Sequence, residues 1–68
     1  MLLENEYNQL KPFRNRIMTF NASQPALIII DKIRQRLGYG SICFDCSGSI
    51  ATATRDIVEL IKEYEKQN

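Results

Sequence analysis

The 68-residue chain contains no histidine and only two cysteines. The absence of histidine removes the commonest general base in enzymes. Structural zinc takes four ligands, which two cysteines without histidine do not supply within one copy of the chain. There are also no paired carboxylates at a useful spacing and no phosphate-binding loop, since Gly38-Tyr39-Gly40 is too short and follows a helix pattern. We therefore predict that the protein is not an enzyme and has no metal or cofactor.

Long hydrophobic runs are absent as well. The longest, residues 26–30, falls far short of the roughly 20 apolar residues that span a bilayer. It is also too short for the apolar core of a signal peptide. We therefore expect no membrane contact and an intracellular protein, without a distinction between a mitochondrial and a cytoplasmic location.

The chain is small, but its composition is that of a folded protein. A hydrophobic fraction of 44% is too high for a disordered chain. A chain of this length buries only about 60% of the surface that its unfolded form exposes, so its core is thin. We expect one small domain over residues 1–68, in which residues 1–13 form an N-terminal helix that is either part of the domain or separate from it.

Charge is unevenly distributed along the chain. The net charge of +1 divides into −2 over residues 1–10, +5 over residues 11–36 and −2 over residues 37–68. A basic block between acidic flanks suits contact with phosphates, and it suits equally a solvated protein surface.

Three segments have apolar residues at helical spacing: 2–10, 25–37 and 55–66. Pro12 is expected to end the first helix, because proline disfavours helical conformation in the preceding residue. The second helix has the clearest boundaries. It begins at the Ser-Gln-Pro sequence of a helix start and ends at Gly38, where a left-handed residue is expected.

The remaining segments are predicted as strands. Residues 14–20 lack helical periodicity and end in β-branched and aromatic residues. The dipeptide Ser47-Gly48 is typical of a two-residue hairpin loop between residues 41–46 and 49–54. Thr54 then caps the last helix. The predicted order is α-β-α-β-β-α, an α+β fold with a small sheet of about three strands and helices packed on one face.

The two cysteines form a C-x-x-C sequence, Cys43 to Cys46, in the first hairpin strand. Residues three apart on a strand point to opposite faces, so the thiols would not meet. Redox-active C-x-x-C pairs instead lie at the start of a helix. We therefore expect a buried Cys46 and a half-exposed Cys43, which implies a reducing compartment.

The segments "MTFNASQPALIIIDKIRQRLGYGSI" and "RDIVELIKEYEK", within residues 17–66, follow the order strand, helix, Leu-Gly-x-Gly, hairpin, helix. This order resembles the second part of a LAGLIDADG homing endonuclease or maturase repeat, over about three quarters of the chain. The matching residues are Ser23, Gln24, Ile29, Ile33, Leu37, Gly38, Gly40, Ile42, Arg55 and Asp56.

The helix that gives this family its name is missing here, since the first helix reads "LLENEYNQL" and has no Asp-Gly. Without its metal-binding acid, the resemblance implies a truncated, non-catalytic remnant. In the family the open face of the sheet lies on nucleic acid. Carried over to this chain and combined with the basic block, that face predicts nucleic-acid binding by Arg14, Arg16, Arg34, Arg36, Thr52 and Thr54.

Two functions follow from these observations. The first is a nucleic-acid-binding remnant, for RNA or DNA, within a ribonucleoprotein such as a mitochondrial ribosome. The second is a small protein-interaction module, an inhibitor or assembly subunit without a nucleic-acid role, in which an open edge pairs with another chain or a second copy.

Overall fold

The computed structural model describes residues 1–67, and all regular structure in that range is helical. The elements are α1 (Glu4–Leu10), a 3₁₀ turn (Lys11–Phe13), α2 (Arg14–Met18), α3 (Gln24–Arg36) and α4 (Ser47–Gln67). The first three form one bent arm, and α3 and α4 form the other two arms. Helix α1 packs on α3, α3 packs on α4, and α2 packs on α4. The predicted α+β fold with a three-stranded sheet is therefore wrong, and the described chain is a small three-arm helical bundle.

The bent arm contains the first error in the predicted elements. Helix α1 agrees with the predicted helix, but the chain does not become a strand after Pro12. The proline lies in the first turn of the 3₁₀ helix, where its missing N–H costs no hydrogen bond. A five-residue helix such as α2 is not stable by itself. Its conformation is fixed by packing, because Ile17 is completely buried.

Helix α3 has the boundaries that its sequence predicts. Ser23 is the extended N-cap residue, and Pro25 lies in the first turn. At the other end Gly38 adopts a left-handed φ of 90°. The N–H of Tyr39 then donates to the carbonyl of Arg34 at 2.8 Å, which completes a Schellman motif.

Helix α4 replaces the predicted hairpin. Ser47 and Gly48 are its first residues rather than a turn between strands. Thr54, expected to cap a helix, lies in the middle of α4 and is buried. The predicted helix over residues 55–66 is confirmed as the C-terminal part of α4.

One continuous apolar core joins the arms. Its buried side chains are Leu2, Leu10, Ile17, Ala26, Leu27, Ile30, Ile33, Ile42, Ala53, Ile57, Val58 and Ile61. Leu2 and Leu10 belong to it, so the N-terminal segment packs with the rest of the described chain. Aliphatic residues supply the whole of this core, and both cysteines lie outside it.

Candidate functional site

Arg14, the first residue predicted to bind nucleic acid, is held by a carboxylate of the same chain. Its Nε and Nη2 donate to Oε2 and Oε1 of Glu65 at 2.6 and 2.7 Å. The hydroxyl of Tyr7 donates to the same Oε2 at 2.7 Å. Hydrogen bonds from Arg14 and Tyr7 lower the pKa of Glu65 to about 2. Arg14 therefore links α2 to α4, and phosphate contact would require this bidentate pair to open.

Arg36 also forms a bidentate pair with a carboxylate of the same chain. Its Nε and Nη2 donate to the two carboxylate oxygens of Glu6 at 2.6 and 2.7 Å, and Nη2 also donates to the carbonyl of Met1 at 2.7 Å. Glu6 is buried, and the hydrogen bond from Arg36 lowers the pKa of its carboxyl group despite the opposing effect of burial. This pair joins α1 to the C-terminal end of α3.

Arg34 lies inward of the other two arginines, with a side chain only 15% exposed. Its Nη1 donates to Oδ2 of Asp56 at 2.6 Å. The guanidinium carbon stands 4.9 Å from the centre of the Tyr39 ring, at cation–π distance. The pair with Asp56 joins α3 to α4, so all three arginines act as links between helices.

The other three predicted site residues are not brought together. Thr54 is 2% exposed, and its Oγ1 donates to the carbonyl of Ile50 at 2.8 Å within α4. Thr52 and Arg16 are exposed, on α4 and α2 respectively. No strand occurs in residues 1–67, so the sheet face on which these residues were expected to meet does not form.

A different site lies where the connection between α2 and α3 passes the first two turns of α4. It is a groove of about 270 Å³, which we call the Phe20 groove. The residues that line it are Phe20, Asn21, Ala22, Ser47, Ile50, Ala51 and Thr54.

Phe20 has an unusual backbone. Its φ is 57°, in the left-handed region, and its N–H donates to the carbonyl of Ile17 at 3.0 Å. The next N–H, that of Asn21, donates to the carbonyl of Arg16 at 2.7 Å. These bonds form the same Schellman motif that ends α3, with phenylalanine at the position that Gly38 occupies there. A residue with a Cβ pays roughly 1–2 kcal/mol for this conformation.

Phe20 is also 54% exposed as a residue. An exposed apolar ring on a strained backbone is a candidate for contact with another molecule. Sequence reasoning missed this residue because a strand was predicted there. The short interval between the apolar Ile17 and the helix start at Ser23 is the one signal of a tight turn.

Two arginines lie one helical turn in sequence from residues that line the Phe20 groove. Arg16 lies one turn before Phe20, and Arg55 lies one turn after Ala51 along α4. Both side chains are exposed, and neither forms an ion pair with any residue of the described part of the chain. The groove is thus lined by both apolar and polar residues, and two unpaired arginines lie one turn away from the lining along α2 and α4.

The bonding and the exposure of the two cysteines differ from the prediction. Cys43 and Cys46 are joined by a disulfide, with Cα atoms 5.3 Å apart. Both residues are exposed, so the expectation of a buried Cys46 is wrong. The pair could not have met across a regular strand, but it lies in a turn immediately before α4.

Over residues 1–67 no group of three or more cysteine, aspartate or glutamate side chains is placed to hold a metal ion. None of the helices in this range has the length and apolar character needed to cross a bilayer. Comparison with protein families, curated proteins and solved structures finds no match to the chain. The resemblance to LAGLIDADG proteins thus stays a prediction, without the sheet that it implied.

Proposed function

We propose that the protein is an interaction module that binds an acidic, amphipathic helical segment of a partner protein in the Phe20 groove. The observation that carries this proposal is the exposed ring of Phe20 on a left-handed backbone. Glycine would relieve the backbone strain, so the aromatic ring at this position is best explained by contact with another molecule.

The dimensions of the groove define what it accepts. A volume of about 270 Å³ accommodates one or two apolar side chains. A small number of such anchor side chains dominates the binding energy of many interfaces. An amphipathic helix presents such anchors at a spacing of three or four residues. The partner segment therefore places an aliphatic or aromatic side chain against Phe20, Ile50 and Ala51.

The two arginines near the groove favour a partner of negative charge. Arg16 and Arg55 have no carboxylate partner among the described residues, and both are exposed. Complementary charge at the edge of an interface mainly increases the association rate and excludes wrong partners. Acidic residues beside the apolar anchor are thus favoured, and basic segments are repelled.

Nucleic-acid binding stays a prediction with less support. Protein–phosphate contacts need cations that are free to replace counterions. Arg14, Arg34 and Arg36 instead neutralise carboxylates of their own chain. Edge pairing with another strand has no basis either, since the described residues contain no strand.

The proposal is tested by selecting binders from a displayed library of helical peptides. One arm selects against the wild-type protein and the other against Phe20→Gly, which removes the ring and keeps a residue that suits the backbone. Ile28→Ala is the matched control, because Ile28 is an exposed apolar residue that does not line the groove. We expect peptides with an apolar anchor and flanking Asp or Glu. Their affinity should fall about 30-fold on Phe20→Gly and remain unchanged on Ile28→Ala.

Other occupants would give different results. Enrichment of the same peptides on Phe20→Gly, or of peptides without acidic residues, would overturn the proposal. Sedimentation at high protein concentration identifies a second copy as the occupant if the dimer dissociates on Phe20→Gly. Anisotropy titrations with duplex DNA and structured RNA at two salt concentrations test the nucleic-acid hypothesis, which predicts saturable, salt-sensitive binding.

A further inference from the structure

The Cys43–Cys46 disulfide lies at the N-terminus of the longest helix. The carbonyl of Cys46 accepts a hydrogen bond from the N–H of Ile50 at 3.1 Å, so Cys46 is the N-cap residue of the 21-residue α4. The N–H of Cys46 in turn donates to the carbonyl of Cys43 at 3.1 Å, which closes a tight turn. A helix N-terminus favours negative charge, and it is one of the settings in which a cysteine thiolate is stabilised.

The turn is held by contacts that do not involve sulfur. Ile42 is 6% exposed, and its N–H donates to Oδ1 of Asp31 at 2.8 Å. The N–H of Cys43 donates to Oγ of Ser49 at 3.2 Å. Because both cysteines are exposed and lie outside the core, neither redox state requires the bundle to repack.

The position of the bond argues against a purely structural role. A disulfide stabilises a protein mainly by restricting its unfolded chain, and this effect increases with the length of the closed loop. The sequence separation here is only three residues. The bond also joins no two helices, since both cysteines precede α4 in one connection.

We infer that Cys43 and Cys46 form a reversible redox site that exchanges with external thiols. The structure assigns Cys46 as the exchanging sulfur, because the N-terminus of α4 favours a negatively charged thiolate there. Cys43 is the resolving sulfur. This inference does not depend on the Phe20 groove, and Phe20→Gly is expected to leave it unchanged.

The exchange balances with two equivalents of a thiol. In the first step an external thiolate attacks Sγ of Cys46, a mixed disulfide forms, and Cys43 leaves as a thiolate that takes up a proton. In the second step another external thiolate attacks the outer sulfur of the mixed disulfide and releases Cys46. The protein disulfide gains two electrons and two protons, while two thiols become one disulfide. The reverse sequence oxidises the protein.

Glutathione is the probe for this exchange. The full chain is equilibrated in buffers from fully reduced to fully oxidised glutathione, quenched with acid, labelled with N-ethylmaleimide and weighed by mass spectrometry. We expect one transition in which both thiols change together, while the helical circular dichroism signal is retained. A structural disulfide would resist all these buffers. Resistance throughout, or two free thiols in fully oxidised glutathione, would overturn the inference.

Single variants test which sulfur exchanges. Cys43→Ser leaves Cys46 alone, and Cys46→Ser leaves Cys43 alone with a good N-cap residue in place of the cysteine. We expect oxidised glutathione to modify Cys46 about twofold faster than Cys43 at neutral pH, since helix-terminus stabilisation is partly offset by lower nucleophilicity. Equal rates, or a faster Cys43, would overturn the assignment of Cys46. Unchanged circular dichroism confirms that both variants are folded.

Discussion

Phe20 and Gly38 occupy equivalent positions at the ends of α2 and α3. Substitutions at these two positions therefore measure the free-energy cost of a left-handed backbone for a residue with a Cβ atom. Phe20→Ala removes the aromatic ring. Phe20 is 54% exposed as a residue, so its removal loses about half of the roughly 1.5–3 kcal/mol that a fully buried side chain contributes, which is about 1 kcal/mol. The Cβ atom remains, and with it the backbone strain.

Phe20→Gly loses the same ring but also removes the strain of about 1–2 kcal/mol. Against this, glycine loses roughly 0.5–1 kcal/mol more conformational entropy on folding. The free energy of unfolding of Phe20→Gly should therefore lie within about 0.5 kcal/mol of wild type and about 0.5–1 kcal/mol above that of Phe20→Ala. For a domain of this size the difference corresponds to a melting temperature about 5 °C higher.

Gly38→Ala is the reciprocal variant. A Cβ built at Gly38 meets no atom within 4 Å, so its cost is that of the left-handed φ alone. We expect a loss of about 0.5–1 kcal/mol, equal in size and opposite in sign to the Ala-to-Gly difference at position 20. Urea titrations followed by circular dichroism give all four free energies. A Phe20→Gly variant no more stable than Phe20→Ala would refute the reasoning.

Three further perturbations test the packing and the ion pairs. Ile17→Ala should lower the free energy of unfolding by about 2–5 kcal/mol, because it leaves a cavity beneath α2. Urea titration measures this free energy, and a loss under about 1 kcal/mol would contradict the buried position of α2. Arg36→Gln should lower the melting temperature by leaving the buried Glu6 carboxylate unpaired, and the added change Glu6→Gln should restore part of the loss; no recovery would count against the pair. In thermal melts, the melting temperature of the wild type should fall as the pH falls from 4.5 towards 2, because the pKa of Glu65 is lowered in the folded state. The melting temperature of Glu65→Gln should fall less over the same pH range. Parallel plots of melting temperature against pH would exclude Glu65 as a source of acid sensitivity.

Helix α3 was predictable because its signals are local. The N-cap residue, a proline in the first turn and the glycine after the end lie within the segment itself. The helical pattern of α4 was also present, since buried positions recur from Ala53 through Thr54, Ile57 and Val58 to Ile61. The alternation I-A-T-A-T and the Ser-Gly pair suggested a hairpin instead, although alanine has the highest helix propensity.

The candidate site was less predictable because it depends on the fold. The left-handed backbone of Phe20 belongs to the C-terminal end of α2, a short helix whose conformation depends on the burial of Ile17. The ion pairs of the arginines join residues 22 to 51 positions apart in sequence. The pattern of charges along the sequence does not show which of these distant residues pair. The sequence thus indicated which residues are charged, and the packing of the helices made three of the six predicted nucleic-acid ligands, Arg14, Arg34 and Arg36, into links between helices.

The three ion pairs also bear on the chirality of the bundle. Three amphipathic helices can wind around a common axis in either of two senses with similar apolar contacts, and polar contacts distinguish between them. Arg34 and Arg36 are two residues apart on α3, about 200° around the helix, and so face opposite flanks. One meets α4 and the other meets α1. Winding in the opposite sense would exchange these neighbours and separate the buried Glu6 from Arg36. The two ion pairs of α3, rather than the alternation of acidic and basic segments, therefore favour the observed one of two mirror-related topologies.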